Sequence, residues 1–266
     1  HIIDTAFLID NFFANRTETL LLYGLPHTIE AIKKHLFNDV LWPDFSKIHL
    51  VNSKTPAITY VEIEANQTYE IEEGITLTPF LANHTVPCCG YIITQKNNSL
   101  LFSGDTFHND ALWQLLNHRQ DIKTLIIDVS FPNHFKKIAT ESKHLTPHFL
   151  AQGMEQLKRD DLHIYINHLK PFYAEYIMQQ LHEIGISKDA ILKDGESIEL
   201  ATGVLKTCTH TSVDERVQKL TEIDTALSAN ENLDALLEMI IEEAKNLTGA
   251  DGGTLYLLEN HELRFK

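Results

Sequence analysis

Two histidines and one aspartate, His84, Asp105 and His168, carry the side chains best suited to chemistry in this chain of 266 residues. Each stands just beyond a short apolar run. His84 follows Ile75–Leu81 and precedes the turn Pro87–Gly90, and Asp105 follows Leu100–Phe102 within Ser103-Gly104-Asp105-Thr106. His168 ends His163–Asn167 and is followed by Leu169-Lys170-Pro171. Neutral imidazoles and a carboxylate are natural ligands for zinc or a similar divalent ion. Residues at strand ends are where a rigid α/β scaffold brings side chains together on a ligand. Gly104, with no Cβ, allows the backbone a close approach beside Asp105.

The elements that must position these residues follow from apolar periodicity. Strands are expected at Thr19–Tyr23, Ile48–Val51, Ile58–Ile63, Ile75–Leu81, Tyr91–Thr94, Leu100–Phe102, Leu125–Val129, His163–Asn167 and Ile198–Leu200. A hairpin turn is expected at Asn97-Asn98. Helices are expected at Thr28–Phe37, His148–Leu157 and Ala174–Ile184, the last capped by Gly185. Such alternation describes a layered α/β fold. Gly203–Ser212 reads as a boundary, followed by a connecting helix from Val213 to Leu227. A second amphipathic helix over Leu233–Leu247 and a strand within Gly253–Leu258 come after it.

Composition narrows the function. Lys and Arg number 22 against 37 Asp and Glu, a formal net charge of -15. That balance argues against general nucleic-acid binding, which needs clustered cations. No apolar run reaches membrane-spanning length and no signal peptide opens the chain, so no membrane partner is expected. The three cysteines include adjacent Cys88 and Cys89 and form no C-x-x-C pair. They point to a reducing cytoplasm, with Cys88 and Cys89 as small fillers of a tight turn rather than ligands. Fifteen histidines in an acidic chain favour a metal enzyme, and a first residue of His1 suggests a fragment or processed product.

Taken in order, His84-Thr85-Val86-Pro87-Cys88-Cys89-Gly90-Tyr91, Leu101-Phe102-Ser103-Gly104-Asp105-Thr106 and Ile166-Asn167-His168 resemble the metallo-β-lactamase superfamily. Phe37-Asn38 with Trp42-Pro43, Ser130-Phe131-Pro132-Asn133 and His144-Leu145-Thr146-Pro147 are similar to patterns of its class II 3′,5′-cyclic-nucleotide phosphodiesterase branch. The likeness covers about residues 1–205. The family's H-x-H-x-D-H hexad is absent, although His1-Ile2-Ile3-Asp4 looks like the stretch that begins at its final histidine.

The resemblance implies a metallo-β-lactamase-like αββα sandwich, incomplete at its N-terminus, over residues 1–205. It implies two divalent metal ions, Zn2+ first, with Mn2+ or Fe2+ as alternatives. His84 would bind the first ion, His1 and His168 the second, and Asp105 would bridge them. The implied reaction is hydrolysis of a cyclic nucleotide to a nucleoside 5′-monophosphate by a two-metal mechanism. His144 resembles a non-ligand histidine of the related tRNA 3′-processing enzymes, and would contact phosphate or protonate the leaving oxygen. Glu141 would orient His144, and Asp128 is a carboxylate that could hold a ligand histidine.

Residues 206–229 are expected to be a helical linker supporting a homodimer. Residues 230–266 resemble the opening of a GAF domain, an α+β stub whose complete form would regulate the enzyme. Two alternatives stand beside this reading: a sensory protein with a degenerate hydrolase domain, and a tRNA 3′-processing phosphodiesterase of the same fold. The missing hexad leads to the expectation that the chain alone binds less than two metals and turns over cyclic nucleotide poorly or not at all.

Overall fold

A computed structural model describes residues 2–206, except 52 and 194, and the backbone of 256–259 and 262–265. The chain divides into two units, His1–Lys206 and Thr207–Lys266. In the second unit, strands Tyr256–Glu259 and Glu262–Phe265 pair antiparallel. The expected linker helix, the dimerisation attached to it and the amphipathic helix at 233–247 lie outside the described residues.

In the first unit a helix α1 (Asp4–Phe12) precedes strand β1 (Leu20–Gly24) and helix α2 (Pro26–His35). Pro26 opens α2, where its missing N–H costs nothing. Strand β1 pairs in parallel with β2 (Ile58–Glu62). Helix α2 turns Ile29 and Ile32 inward. Ile32 joins Phe37, Phe45, Leu50 and Ile58 in a small core. Asn38 accepts the backbone N–H groups of Val40 and Leu41 at 3.0 and 2.9 Å, forming the turn that returns Trp42 to this core. The strand expected at Ile48–Val51 is not formed. Only a bridge between His49 and Pro56 occurs there, because the segment turns back at Ser53, whose N–H bonds the Leu50 carbonyl at 3.1 Å.

The main sheet has six strands in the order β3-β4-β5-β6-β7-β8. They are β3 (Tyr69–Glu72), β4 (Ile75–Leu81), β5 (Cys89–Gln95), β6 (Asn98–Phe102), β7 (Ile122–Asp128) and β8 (His163–Asn167). Strands β3 to β6 form an antiparallel meander, and β6, β7 and β8 run parallel. The hairpin between β5 and β6 closes on Gln95 paired with Asn98, so its two loop residues are Lys96 and Asn97. That is one residue earlier than expected, and Lys96 takes the left-handed φ of +57° that such a turn requires.

Parallel strands need crossovers, and helices supply them. Helix α3 (Asp110–His118) connects β6 to β7, and α4 (Lys136–Ser142) and α5 (Pro147–Met154) connect β7 to β8. Thr146 accepts the Phe149 N–H to cap α5, and Pro147 takes its first position. Helix α6 (Ala174–Glu183) follows β8 and ends at Gly185, whose φ is +85°. One core joins Leu112, Trp113 and Leu116 of α3, Leu150 of α5 and Ile177 and Leu181 of α6. The same core takes Ile92, Leu101, Leu125, Ile127 and Ile166 from the sheet. A short pair, β9 (Ser197–Ile198) and β10 (Leu205–Lys206), closes the unit. Among the described residues no helix is long and apolar enough to cross a membrane.

Candidate metal centre

Strand direction gathers the chemistry. Strand β4 is antiparallel to β5 and β5 to β6, so β4 and β6 point the same way, as do β7 and β8. The C-terminal ends of all four therefore share one edge of the sheet. His84 lies three residues beyond β4 and Asp105 three beyond β6. Asp128 is the last residue of β7, and His168 immediately follows β8.

Local backbone geometry aims these side chains. The loops after β4 and β6 are tied together: the Phe107 N–H bonds the Asn83 carbonyl at 2.8 Å, and the Asn83 N–H bonds Thr106 Oγ1 at 3.2 Å. Gly104 has a φ of +62°, and a Cβ there would stand 2.9 Å from the Cys89 carbonyl. A side chain is excluded on both grounds, as the sequence suggested. His168 has a φ of +62° although it is not glycine. That strained conformation is held at the point where β8 turns its last residue toward the other ligands. Lys143, also left-handed at +60°, ends α4 and sets its carbonyl against His84.

Every imidazole of the cluster has its Nδ1 engaged. His84 Nδ1 donates to the Lys143 carbonyl at 3.2 Å, and His144 Nδ1 donates to Asp128 Oδ2 at 2.6 Å. His168 Nδ1 lies 2.7 Å from Ser130 Oγ, within hydrogen-bond distance. With Nδ1 engaged away from the cluster, Nε2 is the nitrogen each ring turns toward its neighbours. His168 Nε2 lies 3.7 Å from Asp105 Oδ1. The His84 and His168 rings flank His144, at centroid distances of 5.0 and 5.3 Å.

Asp128 organises the cluster from beneath. Its side chain is buried, and burial alone would raise its pKa. Hydrogen bonds from His144 and the His168 side outweigh that, with Ser130 adding to them, and the carboxyl is held below its ordinary range. His168 is correspondingly pushed up, chiefly by its interaction with Asp128, against the opposing effect of burial. The backbone N–H of Thr106 also points at Asp128 Oδ2, at 3.3 Å.

The ligand atoms of His84, Asp105 and His144 lie within 4.8 Å of one another, and so do those of Asp128, His144 and His168. A carboxylate with neutral imidazoles presenting Nε2 is the donor chemistry of zinc and related ions, so the residues fit a divalent metal. Of the expected residues, His84, Asp105, Asp128, His144 and His168 are brought together. His1 lies outside the described residues. Glu141 is a correction: it sits on the exposed side of α4 within 3.9 Å of Lys137, and the place beside His144 belongs to Asp128. Helical periodicity explains this, since Lys137 and Glu141 are four residues apart on one face.

Two contributors escaped the sequence reading, the Ser130 hydroxyl and the Lys143 carbonyl. A backbone carbonyl leaves no side-chain signal. Ser130 did carry one, because it lies two residues beyond Asp128 at the same strand end. Cys88 and Cys89 are free thiols. Burial pushes Cys88 up to about 11, which leaves it a poor nucleophile.

The family profile described as cAMP phosphodiesterases class-II matches residues 2–198. A relative from Yersinia pestis, a probable 3′,5′-cyclic-nucleotide phosphodiesterase, is 24% identical over 181 residues. That match covers 58% of this chain and 50% of the relative. A 25-residue stretch is 56% identical to 3′,5′-cyclic-nucleotide phosphodiesterase 1 of Saccharomyces cerevisiae, covering 9% of this chain and 7% of that one. The chain thus spans about half the length of the Yersinia relative. Among solved structures, unliganded yeast PDE1 superposes with a TM-score of 0.57 at 18% identity, covering 68% of this chain and 58% of that chain. The metallo-β-lactamase fold protein YhfI from Bacillus subtilis superposes at 0.51 with 16% identity, covering 69% of this chain and 67% of that chain. These likenesses show a mixed α/β, metallo-β-lactamase-like fold, and the match across residues 2–198 places the chain in the class-II cAMP phosphodiesterase family.

Proposed function

We propose that the chain carries the catalytic domain of a divalent-metal phosphodiesterase that hydrolyses 3′,5′-cyclic nucleotides to nucleoside 5′-monophosphates. The observation that carries this reading is the convergence of His84, Asp105, His144 and His168 at one sheet edge, each ring with Nδ1 already engaged. His84 and Asp105 would hold one ion, and Asp105, His168 and His1 the second, with zinc the best match to this donor set. Bound there, the ions would neutralise charge growing on the phosphoryl oxygens and activate water at neutral pH.

The chain's own residues supply the rest. As the water oxygen bonds to phosphorus, the P–O3′ bond breaks and the O3′ oxygen needs a proton. His144 Nε2–H donates it, while Asp128 accepts Nδ1–H and stabilises the imidazolium before transfer. Burial of Asp128 keeps that partner fixed and dry.

The test is an assay of 3′,5′-cAMP and cGMP hydrolysis by the zinc-supplemented native protein that carries this chain, with a precursor tRNA as a control substrate. Formation of 5′-monophosphate, abolished by Asp105→Ala in a variant with unchanged circular dichroism, is the expected result. Near-normal turnover by that variant, or cleavage of the tRNA alone, would overturn the reading.

A further inference from the structure

The Ser130 hydroxyl sits at the crossing of four polar contacts and is wholly buried. His168 Nδ1 lies 2.7 Å from Oγ, Asp128 Oδ1 2.6 Å, the His168 carbonyl oxygen 3.1 Å and His144 Nδ1 3.3 Å. A hydroxyl has one proton to give. The shorter contact, to a carboxylate, takes it. His144 is already committed to Asp128 Oδ2.

The remaining question is which nitrogen of His168 carries hydrogen. If Nδ1 were bare, it and Asp128 Oδ1 would be two acceptors 3.6 Å apart competing for a single hydroxyl proton. With hydrogen on Nδ1 that conflict disappears, because Ser130 Oγ accepts from the ring and gives its own proton to the carboxylate, in the chain His168 Nδ1–H to Ser130 Oγ–H to Asp128 Oδ1. We propose that Ser130 is a positioning residue that relays the Asp128 carboxylate to His168, fixing its Nδ1–H tautomer and so leaving Nε2 as the metal-facing nitrogen.

The backbone supports that role. The Ser130 N–H bonds the Leu145 carbonyl at 3.1 Å, and the Ser130 carbonyl accepts from the Lys170 N–H at 3.4 Å. Ser130 is therefore pinned between the residue after His144 and the residue two beyond His168. Asp128 thus sets one imidazole directly and the other through Ser130. The left-handed backbone of His168 makes this anchor necessary, because a strained residue keeps its orientation only when its surroundings over-determine it.

The proposal rests on the phosphodiesterase reading only in calling Nε2 metal-facing, and the experiment separates the two. Long-range 1H–15N spectra of the metal-free chain, with the His168 signals identified from His168→Gln, report the tautomer directly. Zinc affinity is measured in parallel by competition with a chromophoric chelator, for the unaltered chain, Ser130→Ala and Ser130→Thr. Expected are an Nδ1–H His168 in the unaltered chain, loss of that preference in Ser130→Ala with about 10- to 100-fold weaker zinc binding, and rescue by Ser130→Thr. An Nε2–H tautomer in the unaltered chain, or an unchanged tautomer in Ser130→Ala, overturns the proposal. If Ser130→Ala fails to fold, the tautomer in the unaltered chain and in Ser130→Thr decides it. Zinc binding absent from the unaltered chain would instead refute the metal reading and leave the tautomer result to judge Ser130.

Discussion

At the scale of single residues, Asp128 and Asp121 are held below the ordinary carboxylate range by different means. Asp128 is buried and depends on neighbours that belong to the candidate site. Asp121 lies at the rim of the sheet, where Arg119 bonds it through Nε and Nη2 at 2.7 and 2.6 Å and Ser99 Oγ donates at 2.6 Å. The Arg119 hydrogen bonds, opposed by partial burial, hold Asp121 at about 2 rather than 3.8. Unscreened, such a shift is worth about 2 kcal/mol, and solvent at the rim reduces it to about 1 kcal/mol. A depressed carboxylate stabilises the fold above its unfolded value and ceases to do so as pH falls through the folded one. Asp121→Asn should therefore cost about 1 kcal/mol at pH 6 and almost nothing at pH 2. Urea melts at the two pH values check this, and a penalty that persists at pH 2 would point to packing instead.

At the scale of elements, the crossover helices hold the site edge by close packing against the sheet. Helix α5 follows His144 directly and meets α3 where Gly153 faces the indole ring of Trp113. Trp113 is buried among the core residues of α3 and the sheet and has no room to withdraw. A methyl group at Gly153 would occupy space the ring already fills. Gly153→Ala should thus destabilise the protein by about 1–3 kcal/mol although alanine favours helices, because overpacking outweighs propensity here. Denaturant unfolding measures this, and a stabilised variant would show that α3 and α5 have slack. Periodicity made α2, α5 and α6 legible beforehand, within a few residues at either end. It did not reveal α1, α3 or α4. Helix α4 is short, with only Ala139 buried, so it carries no apolar stripe to read.

At the scale of the whole molecule, four strand ends converge on one edge and concentrate ligand atoms from residues 84 to 168. A metal bound by that assembly binds the folded state alone. Saturation to 100 times its dissociation constant adds about 2.7 kcal/mol, equivalent to roughly 5–10 °C in a domain of about 200 residues. Calorimetric scans should show the unfolding midpoint fall by that order when excess chelator is added to zinc-loaded protein. An unchanged midpoint would mean that the cluster holds no ion in the folded state.

The sequence by itself determined that His84, Asp105 and His168 stand at strand ends, because alternating apolar runs report local periodicity and the residues that follow them are read off directly. It also suggested a close backbone approach at Gly104, while the left-handed φ and the Cys89 carbonyl that exclude a side chain there came from the fold. What it did not determine was which side chains hold those histidines. Glu141 is near His144 along the chain, yet it turns outward on the α4 surface, while Asp128, sixteen residues away, takes the ring nitrogen. Ser130 acquires its place only when β7 and β8 pair in parallel and bring it to His168, thirty-eight residues later. Ligand type is a property of the residue and is legible locally. The partner that fixes a ligand's tautomer is a property of strand order and direction, which only the folded sheet decides.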